Sequence, residues 1–397
     1  MENLTKERIY YIDWLRIFAI LVVFIFHCAH IFDPMDFHVK NKETSEIFMI
    51  FVLFCIIWMM PLFFLLAGAS SQFAANVRTP RQFISERFKR LIIPLILGVM
   101  VIVPPQFYVE ALQKGYFTGN YVAYLGRHFE IFTKHWQFNP VYFGSIGHHV
   151  WFLAFLFIFS VLTLPVFKFL QGANGQKFID KLAMFCNKPG MIYIFALPPT
   201  VIYLILKPVS PMYNDWADFF NWILVFISGY IIYSRNEFLQ AIVKHTYPAL
   251  VTAIISFGTC VGLMASGSAL EWYERPDYSF GCMFFYILWV INSWSWIFFF
   301  LGIGTKFLNL KNKLLSYASE AVLPFYLLHQ TIILLVGYVV VQWNAGMFIK
   351  FIVVTIGSLI LTVGLYEFLV RRLPFMRYIF GMKPLKRSNA VGTGMSQ

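Results

Sequence analysis

Four ionisable residues in the first apolar segment of the chain could do chemistry: Asp13, Arg16, His27 and His30. Arg16 and His27 are eleven residues apart, so on a helix they share a face and lie about 16 Å apart along the axis. Asp13 lies one turn before Arg16 and His30 one turn after His27, so all four residues lie along one face of the helix. Ionisable groups within a bilayer are costly and usually face the interior of a helix bundle. The neutral imidazole of His27 can take a proton from a hydroxyl near neutral pH.

The composition shows which elements must position these residues. Of 397 residues, 59% are hydrophobic and only 13% are charged, and the mean hydropathy is +0.68. A soluble protein has about 25% charged residues, so this composition excludes a soluble enzyme. It also excludes a disordered chain and a disulfide scaffold. We therefore predict an all-α polytopic membrane protein.

Apolar segments long enough to cross a bilayer, about 20 residues each, set the topology. There are ten: 12–32, 47–73, 88–108, 149–170, 191–207, 217–234, 246–267, 280–303, 321–342 and 347–370. An even number places both termini on one side. Most of the 31 Lys and Arg residues then fall on the side of the termini, which predicts cytoplasmic termini. The net charge of +12 is explained in the same way and indicates no nucleic-acid partner.

The five cysteines are scattered, and four lie inside apolar segments. They have no C-x-x-C spacing, so the sequence indicates neither a zinc site nor a disulfide framework. We expect no metal ion and no bound cofactor. Gln106 follows Pro104 and Pro105 in VPPQFY, a motif that we interpret as the end of the third span.

Further candidate residues lie at the ends or in the middle of other spans. Arg87 and Arg90 enter the third span, where guanidinium groups suit phosphate binding as well as plain anchoring. The remaining polar or aromatic candidates are His149, Trp151, Glu320, His329 and Gln330.

The chain resembles the acyltransferase-3 family of membrane O-acyltransferases. Arg16 and His27 enclose ten residues, as in the R-x10-H signature of the family's first helix, and Arg87-Phe-Lys-Arg90 matches its RxxR motif. The resemblance extends over nearly the whole chain and is closest to the branch that succinylates osmoregulated periplasmic glucans. The similar segments are DWLRIFA, PLFFLLAGAS, ERFKRLIIP, VPPQFYVEALQKGYFTG, HHVWFLAFL and EAVLPFYLLHQ.

This resemblance implies an enzyme of the bacterial inner membrane that moves a succinyl or acetyl group from cytosolic acyl-CoA, its co-substrate. The acceptor would be a hydroxyl of a periplasmic glucan or another surface polysaccharide. Arg87 and Arg90 would bind the donor, and the catalytic residues would be His27, Arg16 and Asp13. His27 would be the base or a transient acyl carrier, and Asp13 would orient Arg16. The remaining candidates would bind the acceptor or support His27. The alternative is a transporter that exports an acylated or anionic product.

The domain organisation that follows is simple. We expect one transmembrane acyltransferase domain over residues 1–383, in contact with membrane lipid, and a disordered cytoplasmic tail over residues 384–397.

Overall fold

The computed structural model describes residues 9–134 and 139–384, and within these ranges it contains helices and no strand. The tail at 385–397 lies outside the described residues. In chain order the helices are α1 (Tyr10–Ala29), α2 (Glu46–Ala75), α3 (Pro80–Gln113), α4 (Tyr121–Lys134), α5 (Pro140–Leu162), α6 (Leu164–Gln171), α7 (Ala173–Cys186), α8 (Met191–Leu206), α9 (Trp216–Ile232), α10 (Asn236–Ala265), α11 (Ser268–Glu274), α12 (Phe280–Phe307), α13 (Lys313–Val340), α14 (Met347–Val370) and α15 (Pro374–Ile379).

Eight of these helices are long and apolar enough to cross a membrane: α1, α2, α3, α5, α10, α12, α13 and α14. The shorter apolar helices α8 and α9 coincide with the fifth and sixth predicted spans. The prediction of an all-α polytopic membrane protein is confirmed. The cytoplasmic position of the termini stays a prediction. We therefore call the face where α1 begins the N-face and the face where it ends the C-face.

The third span is longer than predicted. A capping box formed by Thr79 and Gln82 starts α3, and two π-helical turns, Phe88–Ile92 and Gly98–Ile102, interrupt it. The helix then continues through Pro104 to Gln113, so the expectation that the prolines end it is wrong. The physical reason is that proline is tolerated in the first turn of a helical segment, where its missing N–H is not needed.

Backbone contact between α2 and α9 fixes the N-face half of the bundle. A Cβ atom added to Gly68 would lie 1.9 Å from the carbonyl oxygen of Phe226, and one added to Gly229 would lie 2.0 Å from that of Leu65. Only glycine permits this approach, a common device in membrane helix packing. The contact holds the segment of α2 that carries Leu66, Ser70 and Ser71 in place.

Two segments shape the C-face half. α1 ends at Ala29, so His27 lies in the last turn of the helix, nearer the C-face than the predicted span implies. The loop that follows folds back over it, and the ring of Phe37 stacks on His27 at 6.1 Å. In α5, a 3₁₀ turn at His148–Val150 breaks the helix, and His148 has a φ of 42°, which is uncommon for a non-glycine residue.

Candidate active site

Polar residues converge on α1 at two levels. The arginine cluster, near the N-face, consists of Asp13, Arg16, Ser70, Ser71 and Arg87. The histidine cluster, near the C-face, consists of His27, Gln106, His149, His329 and Thr331. The helical rise separates Arg16 from His27 by about 16 Å, as the spacing predicts. Their neighbours come from α2 and α3 at the first level, and from α3, α5 and α13 at the second.

Arg16 is held by two helices. Its Nη1 donates to Asp13 Oδ1 at 3.0 Å, and its Nη2 donates to the carbonyl oxygen of Leu66 at 2.9 Å. Nη2 also contacts the hydroxyl of Ser70. The expected Asp13–Arg16 pair is therefore present. It aims the guanidinium at α2 and does not let it extend to the membrane surface.

Arg87 reaches the next residue of the same turn of α2. Its Nη2 donates to Ser71 Oγ at 3.0 Å, and its guanidinium lies 5.0 Å from the centre of the Phe83 ring. Arg90 is more open: its side chain is 50% exposed and its Nη1 is 3.9 Å from Glu86 Oε1. Three arginines and two carboxylates, Asp13 and Glu86, leave this region with a net positive charge. Such a site suits a phosphate-bearing ligand.

His27 and His329 form the centre of the histidine cluster. His27 Nδ1 lies 3.1 Å from His329 Nε2, and His329 Nδ1 lies 2.7 Å from the carbonyl oxygen of Tyr326. A carbonyl oxygen only accepts, so Nδ1 of His329 carries its proton and Nε2 of the neutral ring is an acceptor. His27 must then donate from Nδ1. This leaves a lone pair on His27 Nε2, which no described residue engages.

A second hydrogen-bonded layer supports this pair. His149 Nε2 donates to the carbonyl oxygen of Leu327 at 3.1 Å, and Gln106 Nε2 lies 3.4 Å from His149 Nδ1. Gln106 Nε2 also donates to Thr331 Oγ1 at 2.6 Å, and Thr331 donates to the carbonyl oxygen of Ile102 at 2.8 Å. The rings of His149 and His329 are 5.2 Å apart at 87°. Because its donors are matched to acceptors, the layer holds the His149 ring in a fixed orientation against the His329 ring.

The arrangement is that of a base held by an orienting group. His329 is fully buried, whereas His27 is partly accessible. A hydroxyl at His27 Nε2 could transfer its proton there, and His329 Nε2 would stabilise the resulting imidazolium through the Nδ1 hydrogen bond. The chemical capacity of the cluster is therefore general base catalysis, or nucleophilic attack by the same nitrogen.

Three predicted residues lie apart from the two clusters. The Trp151 ring stacks on Trp222, with centroids 5.0 Å apart, within an aromatic core. Gln330 is buried, and its Oε1 has no hydrogen-bond partner among the described residues. Glu320 forms an ion pair with Arg377 of α15 at the N-face, and Arg371 is 3.8 Å from it. The contacts of Trp151 and Glu320 suit structural roles, and the predicted site roles of all three residues stay predictions.

Four polar residues of the clusters were not among the predicted site residues. Gln106, taken as part of a helix end, is fully buried and links α3, α5 and α13. Thr331 lies two residues after His329, and Ser70 and Ser71 end the apolar PLFFLLAGAS segment. The Gln106 amide, beside two prolines in an apolar span, was the one usable signal in the sequence. Ser and Thr residues give no such signal, because their hydroxyls can donate hydrogen bonds to carbonyls of their own helix.

The fold and the two clusters define a polytopic membrane protein with a histidine-centred site. The model of a family described as "Acyltransferase domain" matches residues 9–367. This chain therefore belongs to the acyltransferase-3 family and is a membrane acyltransferase.

Similarity to curated proteins agrees with this. The chain is 24% identical over 403 residues to glucans biosynthesis protein C of Escherichia coli (strain K12), covering 98% of both chains. It is also 24% identical over 410 residues to the protein of the same name from Shigella dysenteriae serotype 1 (strain Sd197), again over 98% of each. The similarity to the glucan branch is confirmed. No solved structure is significantly similar to this chain.

Proposed function

We propose that this chain transfers an acyl group, succinyl or acetyl, from acyl-CoA to a hydroxyl of a glucan or another surface polysaccharide. The observation that carries the proposal is the hydrogen-bonded series from His27 through His329 to the Tyr326 carbonyl. It leaves His27 Nε2 as the basic atom of the histidine cluster. The names of the relatives support glucan as the acceptor class.

In this proposal the arginine cluster binds the phosphate end of the donor, and the histidine cluster acts at its thioester end. Phosphate groups of coenzyme A would bind the arginine cluster through Arg87 and Arg16, with Arg90 adding positive charge at the more exposed edge. The thioester would then extend towards His27, which lies about 16 Å from Arg16 along the axis of α1. Placing the binding charge at one level and the base at the other suits a donor whose anionic and reactive ends are far apart.

The chemical step follows from the tautomer of His27. The acceptor hydroxyl gives its proton to His27 Nε2 while its oxygen attacks the thioester carbon. Collapse of the tetrahedral intermediate breaks the C–S bond, and the departing thiolate takes the proton from His27. In the alternative, Nε2 attacks first and an acyl-histidine passes the acyl group to the hydroxyl. Both routes form one ester and release one free thiol.

The proposed setting is the bacterial inner membrane, with the N-face in the cytoplasm and the C-face towards the periplasm. Donor binding at the N-face and acceptor access at the C-face follow from this orientation. A label introduced at Asn120 should react from outside the cell, and one at Ala390 only from inside. The reverse pattern would place the donor cluster on the wrong side for cytosolic acyl-CoA.

The test uses inverted membrane vesicles that enclose either extracted periplasmic glucan or buffer alone. Succinyl-CoA or acetyl-CoA is supplied outside them, where the N-face is exposed, and thiol release is followed. We expect release that requires glucan and that is lost in His27→Ala. The matched control is His245→Gln, a histidine of α10 that accepts a hydrogen bond from the Gly190 amide and hydrogen-bonds to no member of either cluster. Glucan-dependent release that persists in His27→Ala would refute the role of His27. No release with either donor would favour the transporter alternative.

A further inference from the structure

A second group of potential ligands lies at the C-face, outside the histidine cluster. His38 of the loop after α1, Glu110 of α3 and His148 of α5 each offer one atom, and these three atoms lie within 4.8 Å of one another. His38 Nδ1 is 2.7 Å from Glu110 Oε2, and the rings of His38 and His148 stack with centroids 4.1 Å apart. Three separate segments of the chain therefore converge on one point.

His148 gives an independent indication of a ligand. Its side chain is buried, with 7% of the residue exposed, and its Nδ1 has no hydrogen-bond partner among the described residues. Buried imidazole nitrogens normally have a partner. The rings of Phe107 and His38 enclose it, with centroids 3.7 and 4.1 Å from that of His148. A partner that is supplied from outside the chain would satisfy it.

We propose that His38, Glu110 and His148 bind a Zn²⁺ ion. Two imidazoles and one carboxylate are ligands that zinc prefers, and three protein ligands leave a fourth position for water. Small side-chain rotations bring atoms within 4.8 Å of one another to zinc bonds of about 2.0–2.2 Å. Mg²⁺ and Ca²⁺ prefer oxygen ligands and suit this set less well.

The surroundings of the three ligands fit an ion that orders the C-face. Lys114 Nζ contacts the other oxygen of Glu110 at 3.1 Å and Asp36 Oδ2 at 3.1 Å. Asp36 thereby offsets the charge of Lys114, and the ion would replace the hydrogen bond between His38 Nδ1 and Glu110 Oε2. The loop after α1 is further tied to α3, because the Gln113 amide donates to the Lys40 carbonyl at 2.6 Å.

Each ligand also lies on a segment that carries a residue of the histidine cluster. His38 is on the loop that follows His27, Glu110 is one turn after Gln106, and His148 directly precedes His149. One ion would thus join the three segments that present those residues and hold them together from the C-face. This role is structural, and it does not depend on which acyl group or acceptor the enzyme uses.

The test is metal binding by the purified full-length chain in lipid nanodiscs, without donor or acceptor. Co²⁺, added to the metal-free protein, serves as a spectroscopic substitute for Zn²⁺. We expect visible absorption bands that saturate at one Co²⁺ per chain and disappear when Zn²⁺ is added, while Mg²⁺ leaves them unchanged. His38→Gln, Glu110→Gln and His148→Gln should each weaken binding at least tenfold. The control His245→Gln, a histidine of α10 that hydrogen-bonds to Gly190 and Ala241 and not to the proposed ligands, should retain the bands.

Two results would overturn the proposal. One is the absence of saturable bands in the wild-type chain. The other is binding that is equally tight in His38→Gln and His148→Gln, which would assign the ion to other residues. Thermal unfolding of each metal-free variant checks that it is folded. If His148→Gln does not fold, the test depends on His38→Gln, which changes a more exposed position. Because no acyl transfer is measured, failure here leaves the proposed enzymatic function unaffected.

Discussion

The arginine and histidine clusters lie on the same helix but are built on opposite electrostatic principles. The arginine cluster keeps its charge: Arg16 is paired with Asp13, whereas Arg87 is bound by the neutral hydroxyl of Ser71. The histidine cluster keeps its members neutral through a directional series of donors and acceptors that starts at a helix carbonyl. The difference teaches that one end of the site is suited to hold an anion and the other to move a proton.

The largest expected effect comes from removing the base. His27→Ala should lower kcat by about a thousandfold, since general base catalysis contributes about 10²–10⁴. The KM for acyl-CoA should stay within about threefold, because the arginine cluster is intact. The measurement is steady-state thiol release by purified protein at varied donor concentration. A tenfold rise in donor KM with kcat unchanged would contradict the division of the two clusters.

The next effect tests His329 as a positioning residue. His329→Leu removes the acceptor for His27 Nδ1 and should lower kcat by about ten- to a hundredfold, the cost typical of losing a supporting partner of a functional histidine. His329→Gln offers an amide that can accept from His27 and donate to the Tyr326 carbonyl, so it should recover most of the activity. Equal loss in both variants, with unchanged donor KM, would argue against the hydrogen-bonded series.

At the other cluster, Arg87→Ala should raise the donor KM about ten- to a hundredfold and leave kcat nearly unchanged. A hydrogen bond to a charged group contributes about 1.5–3 kcal/mol, and the loss should shrink at high ionic strength. The matched control is Arg235→Ala. Arg235 forms an ion pair with Asp180 at 2.8 Å, and this pair involves no member of either cluster. Donor affinity that is the same in the two variants would leave Arg87 as a topological anchor.

The contact between α2 and α9 allows a test of what positions Ser70 and Ser71. Gly68→Ala places a methyl group 1.9 Å from the Phe226 carbonyl oxygen, so the helices must separate. Overpacking of this kind costs about 1–3 kcal/mol, and it should lower the midpoint of thermal unfolding and raise donor KM. Gly258→Ala on α10, where a Cβ meets no atom within 4 Å, is the control. Equal unfolding midpoints would refute the contact.

The smallest effect concerns His128 of α4, outside the membrane-spanning helices. Burial lowers the pKa of His128 below its usual value of 6.5, so the folded state favours the neutral ring. Stability near α4 should therefore be full above about pH 6.5 and fall as the pH drops towards the lowered pKa. Amide hydrogen exchange of residues 121–130 at pH 7.5 and 5.5 measures this. The same pH dependence in His128→Gln would show that another group is responsible.

Local pattern was enough for much of the site. The R-x10-H spacing predicted two levels on one helix face, and the Asp13–Arg16 pair follows from a spacing of three residues. The apolar segments predicted the helices to within about ten residues at each end, and Pro104 starts a new helical segment instead of ending the span. The expectation that the cysteines form no disulfide is confirmed: all five are free and buried.

Contacts between distant segments could not be predicted in this way. Gln106 and Thr331 are 225 residues apart in sequence, and Arg16 and Ser70 are 54 apart. Hydropathy identifies a span but does not say which neighbour each face of it contacts. In a helix that is apolar all round, such as α2, no stripe marks the interior face. The ion pair of Glu320 with Arg377 of a short helix could not be predicted for the same reason.

By itself the sequence determined the class of the protein, the number and order of its apolar segments, and the chemistry available on α1. These depend on residue type and helical periodicity, which are local properties of the chain. Only the tertiary structure decided that His27 is oriented by His329, 302 residues away, and that His38, Glu110 and His148 converge at the C-face. Side-chain orientation and the matching of donors to acceptors arise when helices pack, because a hydrogen bond is fixed by distance and direction in space.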